Sequence, residues 1–164
     1  MVVTGSVVAV CISGPGELFK TPVRGEVIVE EHGLRGDRHA GPTRMSSRRR
    51  VEVPNDRQVS LIAQEALDDL GRELDVTLEP GDFGENVCVR GFGDLSDVTP
   101  GTRFVTDRGV IFRVTEQNEP CANLMRYHRL MVKASYGRRG LLAVVEAGAG
   151  LAIAAGDRIE LRRP

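Results

Sequence analysis

A mainly β fold, a barrel or sandwich with a few added helices, is the class this sequence predicts, and three observations carry it. Short apolar runs rich in β-branched residues recur along the chain. Nineteen glycines in 164 residues stand mostly between those runs. Only one segment shows a clear helical period. Strands alternating with tight, Gly-containing turns are the pattern of all-β barrels and sandwiches.

The elements follow in order. Met1 to Ile12 is largely apolar but lacks a basic n-region and a small-residue cleavage site, so it reads as strand and not as a signal peptide. Within it Val7-Val8-Ala9-Val10-Cys11-Ile12 is continuous and suits a strand buried on both faces. Gly25 to Glu31 is a second strand. Gly33 to Asp56 shows no period and is the longest unstructured candidate, about two dozen residues, a length at which loops are often functional. Ala63, Ala66, Leu67, Leu70 and Leu74 fall at helical spacing, with Gln64, Glu65, Asp68, Asp69, Arg72 and Glu73 on the other face, and predict an amphipathic helix. Glu85 to Arg90 reads as a short strand. Thr102 to Thr106 and Val110 to Thr115 flank Asp107-Arg108-Gly109, a hairpin signal. A short helix starts at Cys121 and carries Leu124 and Met125. Another runs from His128 to Ala134. Leu141 to Glu146 and Asp157 to Leu161 are the last strands. Pro80-Gly81-Asp82, Pro100-Gly101-Thr102 and Ala155-Gly156-Asp157 share turn chemistry and are not a repeat.

No linker divides the chain, and its length suffices for one buried core without staples, so residues 1–164 are expected to form one domain. No apolar run approaches the roughly 20 residues that span a bilayer. Three cysteines cannot all pair, which with the missing signal predicts a reducing, cytoplasmic setting. Twenty-two basic residues against 23 acidic ones argue against a nucleic-acid partner.

Three stretches carry candidate chemistry. In Thr115-Glu116-Gln117-Asn118-Glu119-Pro120-Cys121-Ala122-Asn123-Leu124 a strand ends and Cys121 opens a helix. Unpaired N–H groups and the positive end of the dipole favour a thiolate there. Such a sulfur is a nucleophile, a persulfide carrier or a soft metal ligand; the alternative is a small buried residue. Cys11 and Cys88 lie inside apolar strands and read as buried. The second stretch is Gly33-Leu34-Arg35-Gly36-Asp37-Arg38-His39-Ala40-Gly41, followed by Arg44, Arg48, Arg49, Arg50 and Arg57. Guanidinium forks match phosphate or carboxylate, and glycine lets backbone approach a ligand; a solvated basic loop is the alternative. In the third, Gly81-Asp82-Phe83-Gly84-Glu85-Asn86, a turn delivers a carboxylate and an amide suited to a heterocycle edge, or else serves as a plain turn. His32, His39 and His128 show no metal spacing and no Cys-x-x-Cys occurs, so no protein-built metal site is expected.

Taken in order, these motifs resemble the MOSC family, named for the C-terminal domain of molybdenum-cofactor sulfurases. The series is Gly33 to Gly41, Pro54-Asn55-Asp56-Arg57-Gln58-Val59, Pro80 to Asn86, Pro100-Gly101-Thr102-Arg103, Pro120-Cys121, Gly140 to Glu146 and Ala155-Gly156-Asp157. Together they cover Val7 to Leu161. The resemblance implies a closed, Greek-key-like β-barrel of the pyruvate-kinase-barrel type with a few added helices. It implies binding of the molybdenum cofactor, a pterin dithiolene with an anionic phosphate, and either sulfur carriage on Cys121 or reduction of small N-hydroxylated compounds. Asp37, His39, Arg48, Arg57, Gln58, Glu85, Asn86 and Asn123 become the expected cofactor-binding residues. Many relatives carry His-Gly-Gly shortly before the helix, where this chain has Arg48-Arg49-Arg50 and Pro54-Asn55-Asp56-Arg57. Larger family members join the domain to a pyridoxal phosphate-binding desulfurase half or a ferredoxin. Neither is expected here, so a separate protein is expected to donate sulfur or electrons. A binding module docking an acidic partner through residues 44–57, and a redox sensor using Cys121 alone, remain the other classes.

Overall fold

The computed structural model describes residues 2–164, so Met1 of the first predicted strand lies outside them. Thirteen strands, two α-helices and a 3-10 helix follow one another: β1 (Val2–Ile12), β2 (Thr21–Pro22), β3 (Glu26–Glu30), β4 (Gly33–Leu34), β5 (Thr43–Met45), β6 (Glu52–Pro54), β7 (Val59–Ala63), α1 (Gln64–Leu74), β8 (Val87–Arg90), β9 (Arg103–Thr106), β10 (Ile111–Gln117), the 3-10 helix Ala122–Arg126, α2 (Met131–Ala134), β11 (Leu141–Ala147), β12 (Ala152–Ala154) and β13 (Arg158–Arg162).

Seven strands close into a barrel in the order β13-β9-β10-β11-β7-β8-β1, with β1 pairing back onto β13 from Val2↔Arg162 to Ser6↔Arg158. All barrel pairings are antiparallel except β7–β8, where Leu61 lies beside Val87 and Ala63 beside Val89. A parallel pair needs a crossover connection, and α1 with residues 75–86 provides it. The expected mainly β barrel is therefore what the chain forms.

Strand alternation builds two cores. Val7, Val10, Leu61, Ala63, Val87, Val89, Phe104, Phe112 and Val114 fill the barrel. Ala9, Cys11, Ile62 and Cys88 point outward, where Leu67 and Leu70 of α1, Phe83, Leu124 and Met131 cover them. A bulge between Val7 and Ala9 keeps Val7 and Val10 on the same, inward side. β7 and β8 are thus buried on both faces, which explains their unbroken apolar sequences.

Several expectations are corrected. The long loop is not bare: β4 pairs with β3, and β5 and β6 form a hairpin, Thr43↔Pro54 to Met45↔Glu52, with Arg48, Arg49 and Arg50 at its exposed tip. The segment beginning at Cys121 is five residues of 3-10 helix and not an α-helix, and Cys121 itself is extended at φ −125°, ψ 167°. The helix expected from His128 shrinks to one turn, Met131–Ala134.

Candidate functional site

On the helix-covered side of the barrel, four segments meet around an open cavity of about 250 Å³. They are the loop after β1 (Leu18, Phe19), the segment Arg38-His39, the turn Phe83-Gly84, and the stretch after β10 (Asn118, Cys121, Asn123). A second cavity of about 480 Å³ shares Arg57, Asn118 and Leu142 with the first and adds Arg44, Ser46, Ser47 and Arg48 from the hairpin. The two form one cleft, with the thiol in one chamber and the arginine-rich hairpin in the other. Together they reach the roughly 300–1,000 Å³ of small-molecule sites.

The three cysteines separate by environment. Cys11 and Cys88 are fully buried under α1. Burial, then the neighbouring Glu85 carboxyl, pushes the Cys11 thiol up to about 12 and drives Cys88 upward as well. Both stay protonated and inert. Cys121 alone is partly exposed and lines a cavity. With so short a helix behind it, the dipole expected from sequence is small. Its accessibility comes from the extended backbone at the rim.

The remaining expected site residues divide. His39, Arg57, Asn86 and Asn123 line the thiol chamber with Cys121, and Arg48 lines the hairpin chamber. Asn86 is also a brace: its Oδ1 accepts the Ser60 N–H at 3.1 Å, and its Nδ2 donates to the Cys11 carbonyl at 3.0 Å. Asp37, Gln58 and Glu85 do not reach either cavity, and all three hold the walls. The fully buried Asp37 carboxylate accepts Lys20 Nζ at 3.0 Å and the backbone N–H groups of Ser13 at 3.0 Å and His39 at 3.2 Å. Burial opposes its charge, but Lys20 and these donors hold it below the usual carboxylate range. Gln58 ties Asn55 O to Val145 N across the barrel mouth, at 3.0 and 2.9 Å. Glu85 accepts the N–H groups of Gly81 and Phe83 and so shapes the turn that supplies the cavity wall. Burial pushes its carboxyl up to about 7. Gly81 sits at φ +95° against the Lys20 carbonyl, a place no Cβ can occupy.

The His39 ring, about half exposed, is pushed down to about 4 by desolvation and then by the Lys20 charge, with Asp37 opposing. At neutral pH it is an uncharged acceptor or donor at the cavity wall.

Arg38, Ser60, Asn118 and Arg139 also line the thiol chamber. Arg38 and Asn118 lie within stretches already singled out, whereas nothing in residue spacing marks Arg139. It stands just before β11 and reaches across the cavity floor. Its Nη1 donates to Glu119 O at 2.6 Å and its Nη2 to Phe83 O at 3.2 Å, while its Nε is buried with no partner. Among the described residues no three His, Cys, Asp or Glu side chains converge to hold a metal ion, and no helix is long and apolar enough to cross a membrane.

Known proteins resemble this architecture. The YuaD protein of Bacillus subtilis, which bears the description "Putative metal-sulfur cluster biosynthesis proteins YuaD", is 27% identical over 79% of this chain and 76% of its own length. Its crystal structure superposes with a TM-score of 0.90 at 23% identity, covering 100% of this chain and 98% of that one. YiiM from Geobacillus stearothermophilus (TM-score 0.71, 20% identity, 97% and 75% coverage) and YiiM from Escherichia coli (0.65, 22%, 97% and 70%) share the fold. The MOSC domain model matches residues 36–160, from the Arg38-His39 wall through the barrel to its last strand, and the chain belongs to the MOSC domain family.

Proposed function

We propose that this chain binds the molybdenum cofactor in the two-chambered cleft and uses Cys121 as its sulfur-bearing group. The single observation that carries the reading is that the one accessible thiol among the described residues shares a cavity with unspent guanidinium and amide groups. The donor set fits such a group. A thiolate is a soft ligand or a sulfur carrier. Asn118 and Asn123 suit a heterocycle edge. Arg48 in the adjoining chamber suits a phosphate, and Arg57 beside it is held by Glu116. Bound there, the cofactor would provide a molybdenum centre able to receive sulfur or to reduce a small N-hydroxylated compound.

The protein's own part is to bind and orient. Glu85 and Asn86 fix the wall, and Asp37 and Lys20 fix the His39 segment. Sulfur handling is favoured over reduction because the YuaD relative is described in terms of metal–sulfur biosynthesis. In that reading the Cys121 thiolate attacks the outer sulfur of a donor persulfide, a new S–S bond forms, and the donor leaves as its thiolate. The test is Cys121→Ser, purified from a cofactor-producing host. The variant should lose persulfide labelling and most of its retained molybdenum and oxidised-pterin fluorescence. Unchanged labelling excludes the carrier role, and unchanged metal and pterin exclude the ligand role.

A further inference from the structure

A sulfur carrier must be loaded, and the charges around Cys121 select the kind of donor. Arg139 is held by two carbonyl oxygens and by no carboxylate, and its Nε is buried without an acceptor. Arg38 faces the same cavity and makes no ion pair among the described residues; its one hydrogen bond is through its backbone N–H, to Ser13 O at 2.8 Å. Arg57 lines the same wall but is spent on Glu116 at 2.7 Å. The thiol chamber therefore holds two cations without counter-ions, one of them partly desolvated. Groups in that state are stabilised by an anion.

The chamber itself, about 250 Å³ and lined also by Phe19, Phe83 and Leu124, admits an ion of a few atoms beside the sulfur. The hairpin chamber, with Arg48, lies apart from the thiol and leaves these two cations free for a different anion.

We propose that Cys121 is loaded by a small anionic sulfane-sulfur donor of the thiosulfate type, held by Arg38 and Arg139. The inference rests on the reading of Cys121 as a sulfur carrier. The Cys121 thiolate attacks the outer sulfur of thiosulfate. A bond forms between Cys121 Sγ and that sulfur, the S–S bond of thiosulfate breaks, and its electron pair departs with sulfite. No external oxidant or reductant is required. Negative charge gathers on the leaving sulfite, and guanidinium donors already fixed at that spot stabilise it most where the charge develops. An acceptor nucleophile such as cyanide then takes the outer sulfur, and the Cys121 thiolate returns.

The experiment incubates the full chain with thiosulfate, follows protein mass, and then adds cyanide and measures thiocyanate. The wild type should gain the mass of one sulfur atom and turn over, and Cys121→Ser should do neither. Arg38→Gln, whose side chain is exposed and carries no structural contact beyond its backbone, should need about tenfold more thiosulfate for half-maximal rate, the usual loss for one charge-assisted hydrogen bond. Arg163→Gln, remote from the cavity, should behave as wild type. If inorganic polysulfide loads Cys121 and thiosulfate does not, the donor assignment is overturned while the carrier reading stands. If neither loads it, the carrier reading falls as well. Equal thiosulfate dependence in wild type and Arg38→Gln removes the arginines from the donor site.

Discussion

Glu85 makes the stability of this fold depend on pH in an unusual direction. Its carboxyl is 1% exposed and lies under the turn that walls the cavity. Its affinity for the proton is raised from the ordinary 4.5 to about 7 in the folded chain, because burial penalises the charged form more than the Gly81 and Phe83 N–H groups favour it. The folded state thus binds this proton more tightly than the unfolded state does. The stabilisation is fully present below the unfolded value and is lost as pH rises through about 7. A shift of this size, at about 1.4 kcal/mol per unit, makes the loss about 2.5 kcal/mol between about pH 5 and about pH 8. Glu85→Gln removes the titration. Its amide nitrogen takes the place of one carboxyl oxygen and cannot accept, so one of the two N–H groups loses its partner and the variant starts about 1–3 kcal/mol less stable at low pH. Urea unfolding of both proteins across this range should show the gap between them closing as pH rises. A gap that stays constant, or widens with pH, refutes the assignment of a neutral buried carboxyl.

Other outcomes follow from the same geometry. Asp37→Asn leaves Lys20 charged, buried and unpaired, and should cost about 3–5 kcal/mol by thermal or chemical unfolding; replacing both partners with apolar residues should cost less. The same Asp37→Asn variant should be nicked faster by protease between Arg38 and Arg57, since the Ser13 and His39 anchors weaken. His39 should titrate by NMR with a midpoint near 4, well under its ordinary 6.5, and the unfolded chain's tighter hold on that proton should lower stability as pH falls through this interval; a midpoint at the ordinary value refutes the desolvated wall. Gly140→Ala, at φ +97°, would drive a methyl into the Leu61 carbonyl at the β7–β11 seam. It should shift the unfolding midpoint by as much as a large core truncation, readable by calorimetry.

What the sequence shows directly is what local period encodes. The α1 face from Ala66 to Leu70 and the hairpin joined at Gly109 are both visible as patterns. β7 is hidden because Val59-Ser60-Leu61-Ile62-Ala63 runs straight into α1 with no turn residue and no side-chain cap at Ala63. The β5–β6 hairpin is hidden because its strands are three residues long and its order comes from Asn55, whose amide donates to His39 O and Gly41 O. Cys121 is legible through its place after a strand, whereas Arg139 enters the site only because the barrel folds β11 beside the turn at Phe83. The roles of Glu85 and Gln58 invert for a related reason: polar side chains at loop ends find backbone donors before they find a ligand.

The pairing of the first strand with the last bears on how the molecule is made. β1 precedes every other described strand in the chain, yet its partner from Arg158 to Arg162 follows them all. Until β13 docks, the barrel exposes two open sheet edges, one along Val2 to Ser6 and one along Arg103 to Thr106, both of which only β13 covers. Closure is a contact of maximal sequence separation, the kind that slows folding and leaves edges open to strand addition by other chains. Docking of β13, more than any local step, sets when both edges are covered, and a chain cut before Arg158 should be prone to self-association.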